Sequence, residues 1–131
     1  MKRTLCIVLS VLLLLAVCGC SSNRTQLKIE DAEKLLIMSG STGETVEITD
    51  TNTLEKITQN ITGLSFERMG KVESDGWYYN LRWYDSSDAL LMNLSISDIN
   101  GYQIVYNGHY YIVAADLCID MEAIESAFNQ G

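Results

Sequence analysis

Two segments of alternating polarity, residues 77–84 and 89–96, constrain the fold most, because each presents different side chains on its two sides. They flank Asp85-Ser86-Ser87-Asp88, residue types that favour a turn. Closing this turn into a hairpin, with Trp83 opposite Leu90, separates the apolar side chains from the polar ones. A slip of one residue would mix the two sets, so the pattern predicts the pairing. The face predicted for the core contains Trp77, Tyr79, Leu81, Trp83, Leu90, Met92, Leu94 and Ile96.

Other turn signals divide the rest of the chain into strands. Asn107-Gly108 is the strongest of them and predicts a hairpin with Tyr106 opposite His109. Residues 35–38 and 44–49 flank a glycine-rich turn and predict a further hairpin. Residues 64–69 predict a single strand.

Two stretches predict amphipathic helices. A capping-box pattern starts at Asn52, and Gly63 is expected to end that helix in a left-handed conformation. Asp120 is expected to cap the second helix. The order ββ-α-βββββ-α then predicts an α+β domain, in which two helices pack on a mostly antiparallel sheet of about six or seven strands. The apolar residues at helical spacing are Leu54, Ile57 and Ile61 in the first helix, and Met121, Ile124 and Phe128 in the second.

The chain begins with the layout of a secretory signal peptide. Lys2 and Arg3 precede an apolar run over residues 5–17, and small residues follow that run. The run is shorter than the roughly 20 residues that a helix needs to span a bilayer. These features predict export from the cytoplasm.

The end of this segment, Val17-Cys18-Gly19-Cys20, resembles the lipobox of bacterial lipoproteins. In that family an aliphatic residue and two small residues precede a cysteine that receives a diacylglyceryl group. The resemblance implies a signal peptide over residues 1–19, lipid on Cys20 and attachment to a membrane on the extracytoplasmic side of the cell envelope. Residues 20–26 would form the lipidated cysteine and a tether, and residues 27–131 a single domain.

The mature chain would be strongly acidic. Loss of Lys2 and Arg3 leaves seven basic residues against 17 acidic residues, a net charge of −10. Such a surface repels nucleic acid and anionic headgroups, so we expect no nucleic-acid partner. Membrane attachment is therefore expected through the lipid on Cys20 and not through the protein surface.

No pattern for catalysis or metal binding is present in the sequence. His109 is the one histidine, and no motif supplies it with a nucleophile and an orienting partner. Cys118 stands in an apolar stretch without an adjacent base and is expected to be a buried structural cysteine. The acidic stretches at residues 85–88 and 98–101 lack a full calcium-loop pattern and suit ordinary turns. We expect no metal, no cofactor and no enzyme activity.

The candidate binding residues are those that the alternation places on the face opposite the core. Tyrosine and arginine are favoured in recognition surfaces, although tyrosine is also common in strands. These residues predict a binding or interaction module for an envelope protein, a peptide or a glycan, and an open sheet edge is an alternative surface. A hydrolase that uses carboxylates or His109, or an accessory subunit of an envelope complex, are the alternative functions. The four candidates are Tyr78, Arg82, Tyr84 and Tyr110.

Overall fold

The strands join one antiparallel sheet in the computed structural model, which describes residues 23–70 and 76–131. The two helices among these residues are α1, Thr51–Thr62, and α2, Met121–Gln130. The expected loop from Gly70 to Gly76 lies mostly outside the described residues. The strands are β1 Arg24–Gln26, β2 Lys34–Ser39, β3 Thr45–Ile48, β4 Ser65–Arg68, β5 Tyr79–Tyr84, β6 Leu90–Ile96, β7 Gln103–Tyr106 and β8 His109–Val113. Across the sheet their order is β1-β4-β8-β7-β6-β5-β2-β3.

The predicted α+β class, with two helices and an antiparallel sheet, is confirmed, but the predicted number of strands is wrong. The sheet has eight strands and not six or seven. The additional strand is β1, which pairs with β4 so that Arg24 lies opposite Glu67. It falls within residues 20–26, the segment for which the sequence predicts a tether. Three polar residues show too little alternation to indicate a strand.

The central β5–β6 hairpin has the predicted faces but a different pairing. Trp83 lies opposite Met92 and not opposite Leu90. A shift of two residues keeps every side chain on its own face, so alternation cannot detect it. A bulge then pairs Tyr84 with Leu90, whose side chain is 54% exposed and not in the core as expected. Trp77, which precedes the first residue of β5, is also exposed and not part of the core.

Asp85 accounts for one residue of this shift, and the bulge between Trp83 and Tyr84 accounts for the other. Its Oδ1 accepts hydrogen bonds from the amide and hydroxyl of Ser87, at 2.8 and 2.7 Å, and from the amide of Ala89 at 2.9 Å. The Asp85 amide also donates to the carbonyl of Ala89 at 3.0 Å. The turn is therefore closed between Asp85 and Ala89, one residue further along the first strand than the sequence predicts. The hydrogen bonds that the Asp85 carboxylate accepts lower its pKa, and the bond from the Ser87 hydroxyl has the largest effect.

The other two predicted hairpins are present. Tyr106 lies opposite His109, as predicted, and both turn residues have positive φ, 49° at Asn107 and 75° at Gly108. These backbone conformations are those of the two-residue turns that match the twist of paired strands. The first hairpin joins β2 to β3.

Both helices pack on one face of the sheet and enclose the core. Trp83 is completely buried there and donates its indole N–H to Thr58 Oγ1 of α1 at 3.0 Å. On α2, the ring of Phe128 lies 5.8 Å from the ring of Tyr79. The buried residues of α1 are the three predicted ones, Leu54, Ile57 and Ile61.

Aspartates cap both helices at their start. Asp50, and not Asn52, caps α1, and its carboxylate accepts hydrogen bonds from the amide and hydroxyl of Thr53 at 2.9 and 2.8 Å. Asp120 caps α2 as predicted. The left-handed conformation expected at Gly63 is wrong, because its φ of −76° is that of a right-handed helix.

The prediction that Cys118 is buried is wrong. Ala115 and Asp116 both have positive φ, 61° and 54°, and the amide of Leu117 donates to the carbonyl of Ala114 at 3.4 Å. This tight turn exposes both Leu117 and Cys118 to solvent. The apolar composition of the stretch does not indicate the turn, because it contains no glycine or asparagine.

Candidate binding surface

The sheet has an outer face that lies opposite both helices. The pairing of the strands places on it side chains from β2, β5, β6, β7 and β8. Because α1 and α2 pack on the other side, no helix of the described part of the chain covers this face. On these five strands the outer face includes Leu36, Met38, Asn80, Arg82, Tyr84, Leu91, Asn93, Ser95, Val105, Tyr110 and Ile112. Glu47 of β3, opposite Leu36, and Glu67 of β4, opposite Ile112, lie on the same face.

A hydrogen-bond network at the centre of the outer face orients Arg82. Arg82 Nε donates to Asn80 Oδ1 at 2.7 Å. Asn80 Nδ2 in turn donates to Asn93 Oδ1 at 2.8 Å and to Ser95 Oγ at 3.0 Å. Asn80 is only 8% exposed, so its orientation is set by its neighbours on β6. The guanidinium is therefore held in one position on the sheet.

The charge of Arg82 is not neutralised by any carboxylate of the described residues. The two ion pairs there join Arg24 to Glu67 and Lys34 to Asp88. A guanidinium nitrogen of Arg82 instead lies 3.9 Å from the sulfur of Met38. An oriented guanidinium of this kind can form paired hydrogen bonds to a carboxylate or a phosphate. Arg82 is thus the described outer-face residue best suited to bind an anionic group.

Tyr84 lies two residues further along β5, on the same face as Arg82. The ammonium of Lys34 lies 5.2 Å from the centroid of the Tyr84 ring, within reach of a cation–π interaction. Lys34 also pairs with Asp88, and this hydrogen bond is the largest cause that raises the pKa of Lys34. Tyr84 is therefore positioned by a charged neighbour, as Arg82 is by a polar one.

Of the other two predicted residues, Tyr110 lies on the outer face away from this pair, and Tyr78 lies outside the strands. Tyr78 precedes β5, and its amide donates to the carbonyl of Ile96 at 2.8 Å. Tyr110 is on β8, three strands from β5, which corresponds to about 14 Å across the sheet. The structure therefore brings together Arg82 and Tyr84, and separates both from Tyr110.

Two apolar neighbours of Arg82 were not among the site residues predicted from the sequence. Leu36 lies opposite Arg82 and Met38 lies opposite Asn80. Both side chains are half-buried. A signal for them is present, because residues 35–38 are all apolar and a strand turns alternate side chains to opposite faces. With Leu35 and Ile37 in the core, the other two must lie on the outer face.

Strand β6 extends beyond its neighbour β7. The two pair only from Leu94 to Ile96, so residues 90–93 have β5 on one side and no described strand on the other. We call this open edge the β6 notch. A cavity of about 440 Å³ lies there, and none of its lining residues is charged. They are Leu90, Leu91, Met92, Asn93, Leu94, Ser95, Val105, Tyr106, Asn107 and Gly108.

His109 has an exposed position at the start of β8. One guanidinium nitrogen of Arg68 lies 2.8 Å from His109 Nδ1 and 3.3 Å from Nε2, so it can donate a hydrogen bond to the imidazole. Within residues 23–70 and 76–131, no three His, Cys, Asp or Glu side chains converge to hold a metal ion. Over the same residues, no helix has the length and apolar character needed to cross a membrane.

Comparisons with known proteins identify no relative of this chain. No protein-family model matches it, and neither a curated protein nor a solved structure is detectably similar. Two features then bear on function, namely the oriented Arg82 on the outer face and the β6 notch.

Proposed function

We propose that this protein is a lipid-anchored, non-catalytic binding module of the bacterial cell envelope, and that it binds its ligand on the outer face around Arg82. The observation that supports this most is the orientation of the Arg82 guanidinium by Asn80 without a described carboxylate partner. Leu36, Met38 and Tyr84 surround it with apolar and aromatic surface. Arginine and tyrosine in such a setting are typical of binding hot spots.

The ligand that fits this surface is a peptide, glycan or envelope protein with an acidic group. The acidic group would pair with Arg82, and an apolar or ring-shaped part would lie against Met38 and Tyr84. The net charge of −10 on the mature chain disfavours acidic ligands elsewhere on the surface. Local positive charge at Arg82 would therefore direct the ligand to this part of the sheet.

The lipid on Cys20 would place one sheet edge next to the membrane. Residues 1–22 lie outside the described part, and β1 begins at Arg24, four residues after Cys20. Four residues reach about 14 Å at most, so β1 would lie close to the bilayer surface. Arg82 is on β5, five strands from β1, or about 24 Å across the sheet. The outer face around Arg82 would then be accessible from outside the membrane.

Replacing Cys20 with serine tests the anchor. We expect Cys20→Ser to move the protein from the membrane fraction to the soluble fraction and to remove the mass of the lipid, because serine lacks the thiol that is modified. Cys118→Ser is the matched control, since Cys118 is an exposed cysteine of the domain, and it should keep both properties. Unchanged mass and fractionation of Cys20→Ser would contradict the proposed anchor.

Replacing Arg82 with alanine tests the binding surface. The full chain is used to capture partners from detergent-solubilised envelope, and each recovered protein is quantified. We expect a partner that wild type recovers to fall at least tenfold with Arg82→Ala. Lys56→Ala removes one exposed cation from α1, on the helix side of the sheet, and should leave recovery unchanged. Equal recovery by both variants would place the binding site elsewhere.

A further inference from the structure

The open edges of the sheet differ in how they are protected against added strands. The terminal strand β1 has three residues, and its Arg24 is in an ion pair. The terminal strand β3 carries Glu47, and its Val46 lies against Gly131 at the end of α2. Residues 90–93 of β6 have neither a charged side chain nor a described cover. Proteins use charges and covers to keep other strands from sheet edges, and the described residues give the β6 notch neither.

We propose that the β6 notch binds an extended segment of a partner polypeptide as an added strand in line with β7. On this edge the amide of Ser97 donates to the carbonyl of Gln103 at 3.0 Å. Alternate residues of a strand turn their N–H and C=O to the same edge, so those of Asn93 point into the notch. Hydrogen bonds to this backbone would supply affinity, and side-chain contacts would supply specificity.

The surroundings of the notch define the chemistry of the segment. The cavity lining is uncharged and includes Leu90 and Leu91, so the paired residues would be neutral, with apolar side chains at alternate positions. Beyond Leu90 lies the turn with Asp85 and Asp88. Asp88 is paired with Lys34, whereas Asp85 accepts hydrogen bonds from Ser87 and Ala89 and has no cation partner among the described residues. A lysine or arginine at that end of the segment would match this excess negative charge. The segment is short, because the two turns leave room for about four paired residues.

Two copies of this chain cannot fill their notches by pairing them with each other. If residues 90–93 of two copies paired antiparallel, Leu94 of one copy would lie opposite Ala89 of the other. Tyr106 already pairs with Leu94 on that edge. Tyr106 of one copy and Ala89 of the other would therefore occupy the same place. A single extended peptide has no such neighbouring strand, and it is the occupant that the geometry accepts.

Hydrogen–deuterium exchange with defined peptides tests the proposal on the full chain in detergent micelles. The probes are two acetylated and amidated peptides, Lys-Val-Thr-Val-Thr-Val and its reverse sequence, which cover both strand directions. We expect one of them to slow exchange within residues 91–93 at least tenfold, at the amide of Asn93 that points into the notch, and to leave β3 unchanged. Two further versions carry N-methyl groups on the valines only or on the threonines only. One should bind like the parent and the other at least tenfold more weakly, because only alternate amides face β6.

Three variants locate the effect. Leu91 and Ile112 are both on the outer face, with exposures of 37% and 36%. Leu91→Lys should weaken peptide binding at least tenfold, whereas Ile112→Lys should stay within twofold of wild type. Arg82→Ala should also bind the peptide like wild type, so failure of this proposal and failure of the outer-face proposal are distinguishable.

Several results would overturn the proposal. They are the absence of protection at residues 91–93 with both peptides, equal binding of both N-methylated versions, and equal effects of Leu91→Lys and Ile112→Lys. Protection that appears without peptide and increases with protein concentration would show that a second copy occupies the notch.

Discussion

The two faces of the β5–β6 hairpin are held by different forces. On the core face Leu81 and Trp83 are completely buried against the helices. On the outer face Asn80 and Arg82 are joined by a hydrogen bond, and the Arg82 guanidinium has no carboxylate partner among the described residues. Burial of apolar area is the main source of stability, so the core face should dominate folding. The outer face can therefore carry recognition, because most changes there leave the fold intact.

Two leucines of this hairpin make the comparison directly. Leu81 is completely buried on the core face, and Leu91 is partly exposed on the outer face. We expect Leu81→Ala to lower the free energy of unfolding by about 3 kcal/mol, since it leaves a cavity in the core. Leu91→Ala should cost less than about 0.5 kcal/mol. Denaturant titration measures both, and equal losses would break the distinction between the faces.

Asn80 should be the exception on the outer face, because it is buried and hydrogen-bonded to β6. Asn80→Ala leaves the Asn93 and Ser95 side chains and the Arg82 guanidinium without this partner. We expect a loss of about 2 kcal/mol in the free energy of unfolding. Asn93→Ala is the control and should cost less, since Asn93 is exposed and Asn80 keeps its contact with Ser95. The reverse order would show that Asn80 does not organise the network.

Thr58 links the core face to α1 through a single polar contact. Its hydroxyl accepts the hydrogen bond from the indole N–H of Trp83. Thr58→Val leaves that buried N–H without an acceptor and should lower the free energy of unfolding by about 1 kcal/mol. Thr58→Ser keeps the oxygen and should lose less, which a parallel thermal melt would measure. Identical melting temperatures of the two variants would show that this hydrogen bond does not contribute to stability.

A smaller and pH-dependent effect is expected at Asp50, away from both faces. The amide of Thr53, followed by its hydroxyl, lowers the pKa of Asp50 below its ordinary value of 3.8. The stabilisation is therefore fully present above that pH, and it is lost as the pH falls through the lower pKa of the folded state. Between pH 6 and pH 3, wild type should lose more stability than Asp50→Asn, whose side chain stays neutral. Equal losses in urea titrations at the two pH values would contradict this.

The sequence predicted correctly those parts of the fold that depend on residues close together in the chain. The two turn residues Asn107 and Gly108 are sufficient to predict the β7–β8 hairpin and the pairing of Tyr106 with His109. The β5–β6 pairing depends on the hydrogen bonds of Asp85, which an alternation of period two does not register. Strand β1 pairs with a segment about forty residues away, and nothing local indicates it.

The candidate site followed from the sequence only in part. Alternation was sufficient to place Arg82, Tyr84 and Tyr110 on one face of their strands. Their distances were not predictable, because β8 pairs with both β7 and β4 and this order depends on the whole chain. The β6 notch could not be predicted from the sequence either, because it results from the unequal lengths of β6 and β7 and from a bulge at Tyr84.

Photo-cross-linking in living cells tests the central claim most directly, that the outer face contacts a partner in the envelope. The photoreactive residue p-benzoylphenylalanine replaces Tyr84 on the outer face or, in a separate variant, Gln59, which is exposed on α1. We predict a cross-linked adduct of higher mass from the Tyr84 position and none from the Gln59 position. An adduct from Gln59 alone, or from neither position, would contradict the assignment of the outer face as the binding surface.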